Sequence, residues 1–344
     1  MESQQRQYID ISLLSVVKVA LVAAVAAVLY FVKDIIALVF LAVIIASAVE
    51  GWVNFFEKRR IPRIAGVLLA YVAFIGLLLL AMYAIVPPII EEMQQLVVVI
   101  PDYYDTVSKQ IFRTTRGISP DYARNMQEFL AGFGGKFSGI GSGAFATIAD
   151  VFGGIIDFCI VIVISFYLAV QRKGVESFLR LVTPKDNEGY VLDLWRRVDV
   201  KLGRWLQGQL LLGCIVGFTV FLGLSLIGVP YAMLLGLVAA IFEIVPIVGP
   251  LFSALIGISV AMLISPFLAV ITVIFYIILQ QVENHVLVPL FMKRIIGLNP
   301  VIVVIALLAG AQLAGVLGMI VAVPLAAIIV EALDDLAKRK ALAE

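Results

Sequence analysis

The chain opens on a polar stretch, Met1 to Asp10, and then turns apolar. From Ile11 to Val32 the run is interrupted only by Lys18. At 1.5 Å per residue it is long enough to cross a hydrocarbon core of about 30 Å. It lacks the short apolar core and small-residue cleavage site of a signal peptide, so it reads as a retained first span, with Lys18 snorkelling to the interface. Further apolar runs cover Ile35–Val49, Ile64–Ile90, Val151–Val170, Gly208–Val229, Tyr231–Ile264, Pro266–Leu279 and Val301–Val330. The short Lys33-Asp34 break predicts that the first two runs form a tight hairpin. Tyr231–Ile264 and Val301–Val330, at about 51 and 45 Å as straight helices, are too long to cross once. Both are interrupted in the middle, the first by Glu243-Ile-Val-Pro246-Ile-Val-Gly249-Pro250 and the second by Gly310-Ala-Gln312-Leu-Ala-Gly315-Val-Leu-Gly318. Non-helical backbone at membrane depth survives only where protein or a water-filled cavity satisfies it. Paired broken segments are a pointer to a transporter binding site.

The predicted fold is therefore an all-α polytopic membrane protein, with six full spans and two re-entrant or broken helical hairpins among eight hydrophobic segments. The competing arrangement is eight full spans, which strands Lys293 and Arg294 outside. The expected organisation is three N-terminal segments over residues 1–90, a polar extracytoplasmic segment over 91–150, and a fourth span with a cytoplasmic amphipathic helix over 151–207. A transport core over 208–344 completes it. Basic residues set the orientation. Lys58, Arg59, Arg60 and Arg63, the basic stretch from Arg172 to Gln207, and the tail with Lys338, Arg339 and Lys340 all belong in the cytoplasm. Both termini then lie inside and Glu91–Asp150 outside, in the inner membrane.

Two polar stretches interrupt the apolar pattern. The first has a helix start at Ser119-Pro120-Asp121 and a glycine-rich stretch from Gly132 to Gly143 that reads as a linker or a hinge. In the second, Val191, Leu194, Trp195, Val198, Leu202, Trp205 and Leu206 recur at helical spacing, opposite Arg196, Arg197, Lys201 and Arg204. That pattern fits a helix lying on the inner membrane surface or one packed on neighbouring spans or subunits.

Composition agrees. Of 344 residues 62% are hydrophobic and 14% charged, against roughly 45–50% apolar and about 25% charged in soluble domains. A water-soluble enzyme of this length is excluded. A net charge of +1 gives no electrostatic footprint for nucleic acid. Cys159 and Cys214 sit in apolar runs as packing residues. With one histidine, His285, a His-Glu-x-x-His zinc site cannot form, and no phosphate-cradling Gly-x4-Gly-Lys-Ser/Thr loop is present. The sequence calls for no metal, no cofactor and no enzymatic activity.

The polar groups left at membrane depth carry the functional question. Glu243 and Asp157 are the ionisable ones, and a carboxyl group there can exchange protons or bind a cation. The structural alternatives are that Glu243 caps a hairpin tip and that Asp157 bonds a neighbouring helix. Gln312 lines a cavity or joins helices. Gln280, Gln281, Glu283, Asn284 and His285 cluster at the end of the sixth span, where His285 is expected to be interfacial and satisfied by backbone. Gly213 and Gly217 have the spacing of a helix-dimer motif, which is most often simply close packing. Candidate transport or ion-coupling residues are thus Glu243, Asp157, Glu283, Asn284, Gln281 and Gln312. The hairpin breaks are Pro246, Gly249, Pro250, Gly310, Gly315 and Gly318.

From Leu202 to Ala327 the chain resembles the autoinducer-2 exporter family, or PerM-type permeases. The motifs are Gly208-Gln209, Glu243-Ile-Val-Pro246-Ile-Val-Gly249-Pro250, Gln281-Val-Glu283-Asn284-His-Val-Leu-Val-Pro289, Gly297-Leu-Asn-Pro300, Gly315-Val-Leu-Gly318 and Ala322-Val-Pro324. The resemblance implies a homo-oligomeric secondary transporter of the inner membrane, with a pentamer as the expected assembly and membrane lipids around it. Its cargo would be a small polar solute such as autoinducer-2, exported with an ion gradient. Na⁺(Li⁺)/H⁺ antiport is the alternative substrate reading, and a passive channel or membrane scaffold the alternative of another class.

Overall fold

The computed structural model describes residues 13–76, 80, 83, 154–171, 174–291 and 297–343. The polar segment 91–150 and the pair Lys293–Arg294 lie outside them. The described residues are helical, without a strand. In chain order the helices are α1 (Leu13–Phe31), α2 (Lys33–Lys58), α3 (Arg63–Gly76), α4 (Gly154–Val170), α5 (Gly174–Val182), α6 (Glu188–Ile227), α7 (Ala232–Phe242), α8 (Val248–Ile264) and α9 (Pro266–Val282). A π-helical turn (Glu283–Leu287), the short α10 (Val288–Phe291) and the long α11 (Pro300–Ala343) follow. Among the described residues four segments are, by length and composition, long and apolar enough to cross a membrane: Lys33–Lys58, Lys185–Ile227, Pro266–Phe291 and Pro300–Lys338, the last interrupted at Ala314–Gly315. Between Ile156–Val170 and Gly174–Val182 the chain bends by 84°.

One sequence expectation is corrected, and one open alternative is decided. The tight hairpin at Lys33-Asp34 is not formed. The residue between α1 and α2, Val32, sits at φ −99° and ψ 8°. Bonds from Val32 N–H to Val28 and from Ile36 N–H to Val32 bridge the junction. A single residue with bonds on both sides bends a helix and does not reverse it, so the expected side of the N-terminus loses its basis. The structure also decides between the two readings of the amphipathic stretch, which is not a separate helix. It is the first half of α6, which runs unbroken for 40 residues, about 60 Å. Val198, Leu202, Trp205 and Leu206 are buried against Ala37, Ile44 and Ala48 of α2 and Val321 of α11. Its basic face is paired inside the chain: Arg197 bonds Glu331 (2.9 Å) and Asp335, Lys201 bonds Glu331, and Arg196 meets Glu176 at 3.1 Å. This is the packed alternative read from its periodicity.

Helix α6 ends where Gly228 adopts φ 86° and its N–H returns to Leu224, a left-handed C-terminal stop that glycine takes without steric cost. Helix α9 starts on Ser265, whose hydroxyl accepts from Phe267 N–H, followed by Pro266 at the first position, an N-cap with proline where no donor is needed. Around α6 gather α7, α8 and α9, with a core of Leu212, Val216, Val220, Leu224, Leu235, Ala239, Val260 and Ala261. The Gly213/Gly217 spacing is used here within the chain. A β-carbon at Gly217 would overlap Ala240 and the Gly236 carbonyl of α7. A separate cluster of Ala46, Val53, Val67, Tyr71 and Ala169 joins α2, α3 and α4. Arg63 locks it, donating to Glu50 at 3.1 and 2.7 Å and to the Ala169 carbonyl at 3.0 Å.

Candidate functional site

Both overlong runs are broken where their glycines and prolines predict. In the first, helix stops at Phe242 and restarts at Val248. Pro246 lies in the gap, and Gly249 and Pro250 open the second arm. Gly249 is required there because any β-carbon would overlap the Phe242 carbonyl. Ile247 sits at φ 69°, ψ −52°. A left-handed β-branched residue is a strained conformation that surrounding structure must enforce.

In the second run the break falls at Ala314 (φ −143°, ψ 29°) and Gly315 (φ 58°, ψ −136°). A β-carbon at Gly310 would overlap the Gly318 carbonyl and approach Ala322, and one at Gly318 would overlap the Gly310 carbonyl. In a straight helix, residues eight apart are about 12 Å apart along the axis. Backbone contact between Gly310 and Gly318 therefore means that the chain turns back on itself at Ala314–Gly315.

The first break packs on the arms of the second hairpin, while the second break, at Ala314, packs towards α2 and α6. Val245, in the first, packs with Leu307 from one arm of the second hairpin and Ile320 and Val323 from the other, with Ile244 and Val248 at the edge. Glu243 faces the opposite way. It continues the buried stripe of α7 (Ala232, Leu235, Gly236, Ala239) at the next i+4 position. In the same way Glu283 continues the α9 stripe of Ala269, Thr272, Tyr276 and Leu279. It begins the π-helical turn, in which Val288 N–H reaches back to the Glu283 carbonyl. Such turns recur at functional sites. Glu243 and Glu283, 1% and 5% exposed, line one cavity of about 10 Å³ with Ser253, Tyr276, Pro250 and Gln280. That is room for about one water molecule. Neither oxygen of Glu243 has a hydrogen-bond partner. Its backbone carbonyl does: the buried Gln209 of α6 donates to it. Leaving that carbonyl bare in a broken helix would cost about 1–3 kcal/mol.

The other predicted residues fall elsewhere. Gln281 and Asn284 are exposed, on the outer side of their turn, and Asn284 accepts from Gln280 at 3.4 Å. Gln312 is exposed on the first arm of α11. Asp157, in the first turn of α4, is half-buried on a helix that packs chiefly against α2, away from Glu243. His285 Nδ1 lies 3.0 Å from the Gln281 carbonyl, the backbone satisfaction expected for it. Sequence reasoning missed Ser253 and Tyr276. Each sits in an apolar run, and the available signal was a polar atom at a buried helical position. It also missed a larger polar cavity of about 90 Å³ lined by Ser47, Glu50, Arg63, Glu176, Arg196 and Asp199. Those residues come from distant parts of the chain.

Comparison with known proteins places the chain in a family. Residues 19–338 match the family described as AI-2E family transporter. The chain is 30% identical over 288 residues to "Putative transport protein YueF" of Bacillus subtilis, covering 79% of this chain and 76% of the relative. It is 29% identical over 274 residues to "Putative transport protein YrrI" of the same organism, covering 79% and 78%. To "Putative permease PerM" of Escherichia coli K12 it is 22% identical over 314 residues, covering 88% and 87%.

Proposed function

The chain belongs to the AI-2E family of membrane transporters, and from that premise we propose that it is a secondary transporter exporting a small polar solute, such as autoinducer-2, at the expense of an ion gradient. The observation that carries this reading is the contact between the two broken segments: Val245, at the break of the first, against Leu307, Ile320 and Val323 on the arms of the second. Broken segments in contact supply half-helix ends, whose backbone dipoles can hold a solute or an ion at membrane depth. Both behave as re-entrant hairpins in this reading, the first entered from outside and the second from the cytoplasm, with α9 crossing between them. The basic loops and the C-terminal tail lie on the cytoplasmic side of the inner membrane, and the protomers associate as a homo-oligomer. In this conformation the space beside Glu243 is about 10 Å³, too small for an organic solute. The hairpins part to admit cargo, which is the movement alternating access needs.

Purified protein in liposomes, screened by counterflow across furanones, amino acids and alkali cations, is expected to give saturable exchange of one small polar solute class. Flux that never saturates would mean a passive channel, and no flux of any class a scaffold. The buried carboxylates favour one further reading, Na⁺(Li⁺)/H⁺ antiport. Proton efflux on adding Na⁺ or Li⁺, with no organic solute exchanged, would select it.

A further inference from the structure

Four polar side chains from three helical segments converge on one buried point. Glu243 ends α7, Ser253 belongs to α8, Tyr276 to α9, and Glu283 opens the turn after it. They are 1%, 3%, 8% and 5% exposed, and all four line the same space of about 10 Å³. Both oxygens of Glu243 lack a hydrogen-bond partner, and Ser253 Oγ and Tyr276 Oη face one another without closing a full hydrogen bond. Among the described residues only two other buried side-chain atoms share that condition, Arg197 Nε and Trp205 Nε1, and neither lines this space. No basic side chain lines it either. Val216, Val220, Ala239 and Leu279 form its apolar walls. Each uncompensated buried polar atom costs about 1–3 kcal/mol, and an ionised carboxylate costs more. A packing defect would scatter such costs, whereas here they are gathered on one point and the unpartnered atoms are all oxygens; Gln280, which also lines the space, is engaged with Glu283 and Asn284.

We infer that Glu243, Ser253, Tyr276 and Glu283 bind one hard cation of about sodium size, stripped of most of its water. All-oxygen donors select hard cations over the softer transition metals. Mg²⁺ sheds its water reluctantly and keeps several molecules of its shell, which a space for one water cannot house. Potassium would have to push the walls apart. The two carboxylates supply the attraction, and the hydroxyls of Ser253 and Tyr276 complete the ligand set. The site ties the tip of the first hairpin to α9, so a cation here holds the hairpin in its closed position. In the transport reading, on which only its coupling role rests, this is the ion site, and the organic solute binds elsewhere between the parting hairpins.

The test needs no cargo. Full-length protein purified in detergent and exchanged into choline chloride is titrated at constant ionic strength with Na⁺, Ca²⁺, K⁺ or Mg²⁺ while its thermal unfolding is followed. The expected result is a saturable rise in Tm with Na⁺ or Ca²⁺, and none with K⁺, Mg²⁺ or choline. Tyr276→Phe and Ser253→Ala, each of which removes only a hydroxyl, should weaken the half-saturating concentration by about tenfold or more, equivalent to about 1.4 kcal/mol, with little change in Tm in choline. Glu243→Gln should abolish the rise. Equal Tm in all salts, or a rise that survives all three substitutions, overturns the site. A cation-dependent Tm in a protein that exchanges no solute leaves the site standing and removes the transport reading. Saturable solute flux with no cation effect does the reverse.

Discussion

Glu243→Gln is expected to reduce ion-coupled solute movement in proteoliposomes to the level of protein-free vesicles while leaving the protein no less stable in choline, where no bound cation stabilises the wild type. The two expectations come from one fact. The Glu243 carboxylate is almost fully buried and neither of its oxygens is hydrogen-bonded, so by itself it lowers the stability of the folded chain. A neutral amide of the same shape keeps the packing of the site, and it removes the group that an ion would bind. Stability held or raised with transport lost is the pattern of a functional group. The hairpin-cap role read from the sequence predicts the opposite, a lower Tm with transport kept. The carbonyl of the same residue, held by Gln209, serves the structural role and is untouched by the substitution. Paired measurements of Tm and solute flux on the one variant decide between the two.

Gly318→Val is expected to have the largest effect on folding. Its β-carbon would overlap the Gly310 carbonyl, and the obstacle is backbone, which cannot rotate aside. Overpacking in a tight interface costs about 1–3 kcal/mol and more where nothing can give, and here the two arms of α11 would be forced apart. Gly315→Ala is the graded comparison. Nothing lies within 4 Å of the added carbon, but φ is 58°, so the cost is the left-handed strain of about 1–2 kcal/mol. Gly76→Ala, in open space at ordinary backbone angles, should be neutral. Size-exclusion profiles after heating should rank the variants in that order. A Gly318→Val protein as heat-resistant as wild type would mean that the arms do not meet and that α11 does not fold back.

The sequence was informative where the constraint is local or arithmetic. The lengths of Tyr231–Ile264 and Val301–Val330 against a 30 Å core, with glycine and proline at their centres, located both breaks to within a few residues. Glu243 stood out because a lone carboxylate in an apolar run has few bland explanations. Legibility failed where a residue's role depends on what another part of the chain brings to it. Asp157 and Gln312 look like Glu243 by composition, yet their helices carry them away from the cavity. Ser253 and Tyr276 are unremarkable in an apolar run until α8 and α9 set them facing Glu243. Gln281 and Glu283 differ by two positions, which on a helix is half a turn, so one is exposed and the other buried. At Val32 the error was one of chemistry: a short charged pair was read as a turn, but neither Lys33 nor Asp34 breaks a helix as proline or glycine would. For the first half of α6 the sequence left two readings open, a surface helix and a packed one. Its charged face could not choose between them because its partners, Glu331 and Asp335, lie more than 100 residues downstream.

The central claim is coupled export by two broken segments in contact, and gradient-driven accumulation tests it most directly. Liposomes containing the purified protein, loaded with the coupling cation but no solute and diluted into cation-free medium holding the counterflow-identified solute, should concentrate that solute above its external level as the cation leaves. Accumulation should collapse when an ionophore removes the gradient, and Glu243→Gln should show none. Solute that only equilibrates, at the same rate with or without the cation gradient and in the variant as in the wild type, would contradict the account.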